Sequence, residues 1–171
     1  ISDGDSMKFA IFGGDRRQIE TALILKSKGH DVCVFGLPAV SGLVTADDLN
    51  SAVTNADAVV LPLPVTRDGK TVNSPLCGDV IFLGDIIKYR PKMLYGGIIK
   101  QNLTDELDAA GIKFRDYFKS EALTIKNAVL TAEAAIAIAI NGTDNAIFGS
   151  KSLVIGYGRI GRKLSYYLKA L

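Results

Sequence analysis

The chain has 171 residues, and its 20 Lys and Arg against 18 Asp and Glu give a formal net charge of +2. With both signs interspersed, this balance excludes the strongly basic surface of a nucleic-acid-binding protein and a polybasic membrane-binding patch. The single histidine excludes a zinc site built from several histidines, and the two cysteines lack the spacing of metal ligands. We therefore expect no metal.

Short apolar runs alternate with segments of helical periodicity over the first 120 residues. The predicted strands are residues 8–13, 31–36, 57–64, 92–97 and 112–117. The predicted helices are residues 14–29, a short helix capped by Thr45, part of 79–90, and 103–110. This alternation predicts an α/β fold, a flavodoxin-like doubly wound parallel sheet with strand order 2-1-3-4-5.

A long alanine-rich helix is predicted over residues 127–140, and a sixth strand over 151–156 leads into a terminal helix. We therefore expect a substrate domain at 7–126, a linking helix within 127–145, and the first β-α unit of a Rossmann domain at 150–171. The apolar run 128–140 is too short and too rich in alanine for a membrane span.

The G-x-G-x-x-G spacing of Gly156, Gly158 and Gly161 is typical of a dinucleotide-binding turn between a strand and a helix. A glycine-rich turn without a ligand is the alternative. The acidic residue that binds the adenosine ribose follows about twenty residues later. That position lies beyond Leu171, so NAD and NADP both stay open, and we expect the 171-residue chain to bind either one negligibly.

The first strand is followed by FGGDRRQ, residues 12–18, where a parallel sheet places its ligands. Asp15 can cap the helix that follows. One of the adjacent residues Arg16 and Arg17 can face the cleft and bind a carboxylate through two parallel hydrogen bonds. A capped turn with solvated arginines explains the same residues.

Three further features of the sequence bear on the site: the ends of two other strands, the single histidine and an acid within the apolar helix. Thr66 and the small residues of 94–97 follow strands on the same edge of the sheet, where either a ligand or simple packing accounts for them. His30 lies in a helix-to-strand turn at the wrong end of the sheet for a general base. Glu133, inside the apolar helix, is a candidate buried acid whose pKa burial would raise, and a structural role is its alternative.

Three segments, FAIFGGDRRQ, NAVLTAEAAIAIAI and IFGSKSLVIGYGRIGR, resemble the family of dipicolinate synthase A subunits in content, order and spacing. More distantly, the layout is similar to 2-hydroxyacid and alanine dehydrogenases. The resemblance implies a sporulation enzyme of the mother-cell cytoplasm. With a B subunit, it forms pyridine-2,6-dicarboxylate from a dihydro- or hydroxytetrahydro-dicarboxylate of the lysine pathway.

The resemblance also implies roles for individual residues. NAD or NADP is expected at Gly156, Tyr157, Gly158, Arg159, Ile160 and Gly161. The dicarboxylate is expected at Gly14, Asp15, Arg16, Arg17, Gln18 and Thr131, and the position of Thr66 after a strand adds it to this set. Thr131 and Glu133 match a Thr-x-Glu element, although Leu130 and Ala134 replace the expected flanking proline and glycine.

Two other functions fit the sequence pattern. A 2-hydroxyacid or alanine dehydrogenase relative would use a histidine or lysine base, and His30 is badly placed for that. A non-catalytic flavodoxin-like module of the receiver type would need clustered acids where Asp15 is followed by arginines. Whatever the function, an exposed sixth strand and terminal helix would need cover, and pairing with a second copy of the chain is one way to supply it.

Overall fold

The computed structural model describes residues 6–78 and 80–171. These residues form two compact units with their boundary between Phe118 and Lys119. The first unit is a sheet covered by helices, and the second consists of two helices and the segment that joins them.

The first unit is built around six parallel strands. The strands are β1 (Lys8–Phe12), β2 (Asp31–Phe35), β3 (Val44–Thr45), β4 (Ala58–Val60), β5 (Met93–Gly96) and β6 (Lys113–Asp116). The helices are α1 (Arg16–Ser27), α2 (Leu49–Thr54), α3 (Leu83–Lys88) and α4 (Gln101–Ala109). The strand order is β3-β2-β1-β4-β5-β6, and every pair is parallel.

The predicted α/β class is confirmed, and the five predicted strands are neighbours in the predicted order. The difference in detail is β3, a two-residue strand that pairs with β2 at the edge of the sheet. Thr45 belongs to this strand, so its predicted role as a helix cap is wrong. Asp48 caps α2 instead, with Oδ1 accepting from the Ser51 N–H at 2.8 Å.

Both faces of the central strands are buried. In β1, Ala10 and Phe12 pack into one apolar cluster, and Phe9 and Ile11 pack into another on the opposite face. Successive side chains of a strand point to opposite faces, so a strand between two layers of helices is apolar at almost every position. Because the faces are filled by helices, the ends of the strands are left for binding a ligand.

The second unit contains α5 (Glu121–Asn141) and α6 (Arg159–Ala170), after a short 3₁₀ turn at Tyr117–Lys119. The α5 helix begins six residues before the predicted start, because Ser120 caps it through a hydrogen bond from the Leu123 N–H. The predicted domain boundary at 126/127 therefore falls inside α5. The helix has 21 residues, and the mean hydropathy over its most apolar 18 residues is 1.6, so α5 could cross a membrane by length and composition alone.

The predicted sixth strand is not formed by the part of the chain that the structure describes. Residues 151–156 have no strand partner, and Leu153 and Ile155 are 86% and 92% exposed. A β-strand needs a neighbour to satisfy its backbone N–H and C=O groups, so an apolar run with strand propensity remains irregular where no neighbour is present. The terminal helix α6 does form as predicted.

Candidate functional site

The turn after β1 has a backbone that requires glycine. Gly13 and Gly14 have φ angles of +56° and +86°. A Cβ added at Gly14 would lie 2.4 Å from Cγ of Gln18 and 3.0 Å from Cβ of Pro62. The Gly14 N–H donates to the carbonyl oxygen of Asn73 at 2.8 Å. Close packing of protein atoms therefore accounts for these glycines.

Asp15 and Arg17 form a two-pronged ion pair at the start of α1. Asp15 caps the helix by accepting from the Arg17 N–H at 3.0 Å, and its carboxylate also accepts from Nε and Nη2 of Arg17, the latter at 2.8 Å. Hydrogen bonding to Arg17 holds the pKa of Asp15 below its usual value, and the same bond raises the pKa of Arg17. Both groups therefore stay charged throughout the neutral range.

Arg17 also joins the ends of two neighbouring strands. Its Nη2 donates to the carbonyl oxygen of Leu63 at 2.9 Å, in the segment that follows β4. The chain leaves β1 toward β2 on one side, and β4 is its neighbour on the other side. The gap between β1 and β4 is therefore the topological switch point, where open α/β sheets bind ligands beyond the carboxyl ends of their strands.

Tyr117 completes this group of residues. Its hydroxyl donates to the carbonyl oxygen of Leu61 at 3.0 Å, and burial raises its pKa to about 12. The phenol is therefore neutral, and its proton is donated in a hydrogen bond to the backbone directly after β4. We call Asp15, Arg17, Leu63 and Tyr117 the carboxyl-edge cluster.

The other residues predicted in this turn have different surroundings. The Arg16 side chain is exposed and forms no hydrogen bond or ion pair with any residue that the structure describes. Gln18 is only 6% exposed, and its Nε2 donates to the carbonyl oxygen of Val60 at 3.3 Å. Of the two arginines, Arg17 is therefore the one that faces the switch point. Gln18 is buried and binds the backbone of β4 through its side-chain amide.

Thr66 is used by its own loop. Its hydroxyl donates to Oδ1 of Asp68 at 3.0 Å and accepts from the Gly69 N–H at 2.9 Å, and the residue is 4% exposed. Hydrogen bonds from the N–H groups of Thr71 and Lys70 lower the pKa of Asp68. The Asp68 carboxylate therefore stays charged and holds this turn together. The geometry favours a structural role for Thr66, and substrate binding by it stays a prediction.

Sequence reasoning missed Arg67 and Asn73. Arg67 Nε donates to Oδ1 of Asn73 at 3.1 Å, and the Asn73 carbonyl accepts from the Gly14 N–H. The Asn73 N–H donates to the carbonyl oxygen of Val65 at 2.8 Å, which ties the segment to the stretch of chain that follows β4. A second guanidinium is thus anchored to the glycine turn. The signal that could have revealed it is the polar loop 66–75, directly after a strand on the ligand-binding edge.

In the second unit, Thr131 and Glu133 have separate surroundings. The Thr131 hydroxyl donates to the carbonyl oxygen of Asn127 at 2.8 Å, and Glu133 is exposed. Ala128 and Ala132, one helical turn apart, are the buried residues of α5. Glu133 lies about 100° around the helix from Ala132, so the prediction of a buried acid is wrong.

The glycine motif forms the turn that leads directly into α6, although the described residues directly before it form no strand. Gly156 has a φ of +102°, and a Cβ added at Gly161 would lie 2.0 Å from the Gly156 carbonyl oxygen. A Cβ at Gly158 would meet nothing within 4 Å, and no side chain caps the start of α6. Free N–H groups at an open helix start suit a pyrophosphate, so these residues fit a dinucleotide.

The other motif residues lie at the same turn. Tyr157 is 75% exposed and Ile160 is 42% exposed. Arg159, the first residue of α6, pairs with Glu121 at the start of α5 through two hydrogen bonds. The guanidinium of Arg159 is therefore next to the helix start but already neutralised by a carboxylate.

Similar proteins show which family this chain belongs to. The family described as the N-terminal domain of the dipicolinate synthase A subunit matches residues 8–118. The dipicolinate synthase A subunit of Bacillus subtilis (strain 168) is 27% identical over 172 residues, which cover 96% of this chain and 58% of that protein.

Two crystal structures are similar to the whole chain. The dipicolinate synthase A subunit from Bacillus halodurans matches with a TM-score of 0.81 and 25% identity, covering 96% of this chain and 58% of that one. The corresponding structure from Bacillus subtilis matches with a TM-score of 0.76 and 26% identity, covering 97% and 58%. The chain thus spans 58% of the length of these relatives.

The matched residues include the whole sheet, the glycine turn and the carboxyl-edge cluster. They make up well over half of the chain. The resemblance that the three sequence segments indicated is therefore confirmed, and the chain belongs to the family of the N-terminal domain of dipicolinate synthase A subunits.

Proposed function

We propose that this chain is the substrate-side part of the A subunit of a dipicolinate synthase. The enzyme would be an oxidoreductase that forms pyridine-2,6-dicarboxylate from a dihydro- or hydroxytetrahydro-dicarboxylate of the lysine pathway. Family membership supports the product, and the observation that carries the proposal is the position of Arg17. Its guanidinium spans the switch point between β1 and β4, where a parallel sheet binds its ligand.

Arg17 is suited to bind one carboxylate of the substrate. Asp15 and Leu63 engage Nε and Nη2, which leaves the Nη1 donors without a partner among the described residues. The side chain is 60% exposed, so a carboxylate can reach it. The ion pair with Asp15 holds the guanidinium in place before the substrate arrives, which lowers the entropic cost of binding.

Arg67 is suited to bind the second carboxylate. Asn73 holds its Nε, and both terminal amino groups are without a partner in the part of the chain that the structure describes. Through the Asn73 carbonyl, this arginine is coupled to the Gly14 N–H. Two guanidiniums anchored to one glycine turn match a ligand with two carboxylates.

The redox chemistry would be supplied by a nicotinamide cofactor, NAD or NADP, which accepts a hydride from the ring when bound at residues 156–161. The residues of this chain bind, orient and stabilise the substrate charge. Tyr117 acts as a fixed hydrogen-bond donor rather than as a base, because its pKa is about 12 and its proton is committed to Leu61. Glu133, exposed on α5, stays a candidate for the proton acceptor.

The proposal extends to the partners and the cellular context that the family implies. The partner in the reaction would be the B subunit, the partner in assembly a second copy of the chain, and the location the cytoplasm of the mother cell in a sporulating bacterium. The apolar surface of α5 would be covered by protein rather than by lipid, because Glu121, Lys126 and Glu133 all lie within this helix.

The test is reconstitution of the reaction. The intact gene product and the B subunit, together with the lysine-pathway precursor, are incubated with NAD or NADP, and pyridine-2,6-dicarboxylate is measured by chromatography. The expected result is product formation that depends on both proteins. Absence of product with both cofactors, or equal turnover of simple 2-oxoacids, contradicts the proposal and favours a dehydrogenase of the 2-hydroxyacid or alanine type.

A further inference from the structure

The turn after β5 contains a strained residue. Ile98 has a φ of +59°, in the left-handed region. Among the residues that the structure describes, Arg90, with a φ of +49°, is the other non-glycine residue with a positive φ. A β-branched residue in this region is a genuine outlier, because its Cβ substituents crowd the backbone. Such strain persists where the surroundings impose it, and it clusters at ligand-binding sites.

The surroundings that impose it centre on Asp116, at the end of β6. Its carboxylate accepts from the N–H of Ile98 at 3.2 Å and from the N–H of Ile99 at 3.0 Å. It also accepts from the N–H of Phe118 at 2.8 Å. Three backbone donors that converge on one carboxylate hold the turns after β5 and β6 together and fix the conformation of Ile98.

The preceding residue ties this turn to the carboxyl-edge cluster. Gly97 donates to the carbonyl oxygen of Pro62 at 3.2 Å and accepts from the Val65 N–H at 2.9 Å. A Cβ added at Gly97 would lie 2.6 Å from Cδ1 of Leu63 and 2.8 Å from Cε2 of Tyr117. Ile98 therefore emerges from backbone that pairs with the segment whose Leu63 carbonyl accepts from Arg17.

The chemistry of the cluster leaves one part of the ligand without a contact. Arginines and backbone carbonyls recognise carboxylates and polar hydrogens, and they would bind an open-chain dicarboxylate as well as a cyclic one. A ring has apolar faces, and selecting it requires apolar surface on the protein. Ile98 supplies such surface at this edge, since 42% of the residue is exposed.

We propose that Ile98 is a specificity-determining residue that contacts the ring of the cyclic dicarboxylate, and that Asp116 is the positioning residue that holds it there. This inference rests on the proposed function, because it assigns the ring-binding part of the same site. Glycine at position 98 would relieve the strain. The presence of isoleucine rather than glycine in this strained conformation is therefore explained by a function of the isoleucine side chain.

The experiment compares variants of the intact gene product, assayed together with the B subunit. Ile98→Gly removes both the side chain and the strain, and Ile98→Ala removes the side chain beyond Cβ and keeps the positive φ. Arg90→Gly is the matched control, because it relieves the same kind of strain at a different place. Arg90 lies just before β5, at the amino-terminal end of the strand and away from the proposed site. Inhibition by pyridine-2,6-dicarboxylate and by pimelate, an open-chain dicarboxylate, is measured alongside turnover and the melting temperature.

The expected result is a KM for the cyclic substrate about tenfold higher in both Ile98 variants, with kcat nearly unchanged. The preference for the ring compound over pimelate should fall by a similar factor. Arg90→Gly should match the parent in kinetics, and neither glycine variant should melt below the parent. Asp116→Asn, which removes one acceptor from Ile98 or Ile99, should reproduce the loss of ring preference.

Three results would overturn the inference. Ile98 variants with the parent's KM and ring preference would show that the side chain does not contact the ligand. An equal loss of affinity for the ring compound and for pimelate would show a general structural role. A parent protein that forms no pyridine-2,6-dicarboxylate would refute the proposed function itself, and this inference with it.

Discussion

Replacing Arg17 by glutamine removes the guanidinium from the switch point and keeps a polar side chain of similar reach. Two sets of interactions are lost. One is the ion pair with Asp15, whose partners have side-chain exposures of 60% and 39%, and the other is the hydrogen bond to the Leu63 carbonyl at 2.9 Å. A screened surface ion pair contributes about 0.2–1 kcal/mol and a hydrogen bond about 0.5–1.5 kcal/mol.

The free energy of unfolding should therefore fall by about 1–2 kcal/mol, and the melting temperature by about 2–8 °C for a chain of this size. The effect on binding should be larger than the effect on folding. A charge-assisted hydrogen bond to a carboxylate contributes about 1.5–3 kcal/mol, which corresponds to a loss of affinity of about 10- to 100-fold. Arg17→Lys keeps the charge but loses the planar fork, so its loss should be intermediate.

The assay is calorimetric titration of the intact gene product with pyridine-2,6-dicarboxylate, together with thermal unfolding. Arg16→Gln is the matched control, because Arg16 is the adjacent residue with the same side chain, exposed and without a partner among the described residues. We expect it to leave both affinity and melting temperature unchanged. Equal effects of the two substitutions, or an unchanged affinity in Arg17→Gln, would refute the assignment of Arg17.

Three further outcomes are expected. Gly14→Ala should cost about 2–4 kcal/mol in urea unfolding, because its φ is +86° and its Cβ would overlap a neighbour at 2.4 Å, whereas Gly29→Ala, with a φ of +85° and open space, should cost only about 1 kcal/mol. The stability advantage of the parent over Asp15→Asn, under about 1 kcal/mol at this exposed site, should be present above about pH 4 and vanish as the pH falls further. The sign follows from the lowered pKa of Asp15 in the folded state, and equal acid unfolding profiles would contradict it. Gly158→Ala should weaken NAD or NADP binding by the intact gene product without lowering its melting temperature, whereas Gly161→Ala should lower both, because its Cβ would lie 2.0 Å from a carbonyl oxygen.

The fold was predictable because hydrophobic period and turn residues are local properties. The run KFAIF is apolar at nearly every position, which indicates a strand buried on both faces, and it is β1. The run KSLVIG has the same local pattern, yet residues 151–156 form no strand. The two segments differ in whether a neighbouring strand is present, and periodicity carries no information about that.

The site was predictable in part for the same reason. The Gly-Gly-Asp turn marked the place, and helix capping by Asp15 follows from residue type and position. The choice between Arg16 and Arg17 did not follow, because it depends on the Leu63 carbonyl, 46 residues further along the chain. Glu133 shows the converse case, since an acid within an apolar helix suggests burial, although this one is exposed, about 100° around the helix from the buried Ala132.

By itself, the sequence determined the α/β class, the order of the five main strands, the glycine turns and the family. All of these depend on residue type and on spacing within one or two elements. The tertiary structure decided which arginine spans the switch point, that Arg67 is anchored to Gly14 through Asn73, and that Asp116 holds Ile98 in a left-handed conformation. These are contacts between segments brought together by strand order, and their geometry exists only once the sheet has formed.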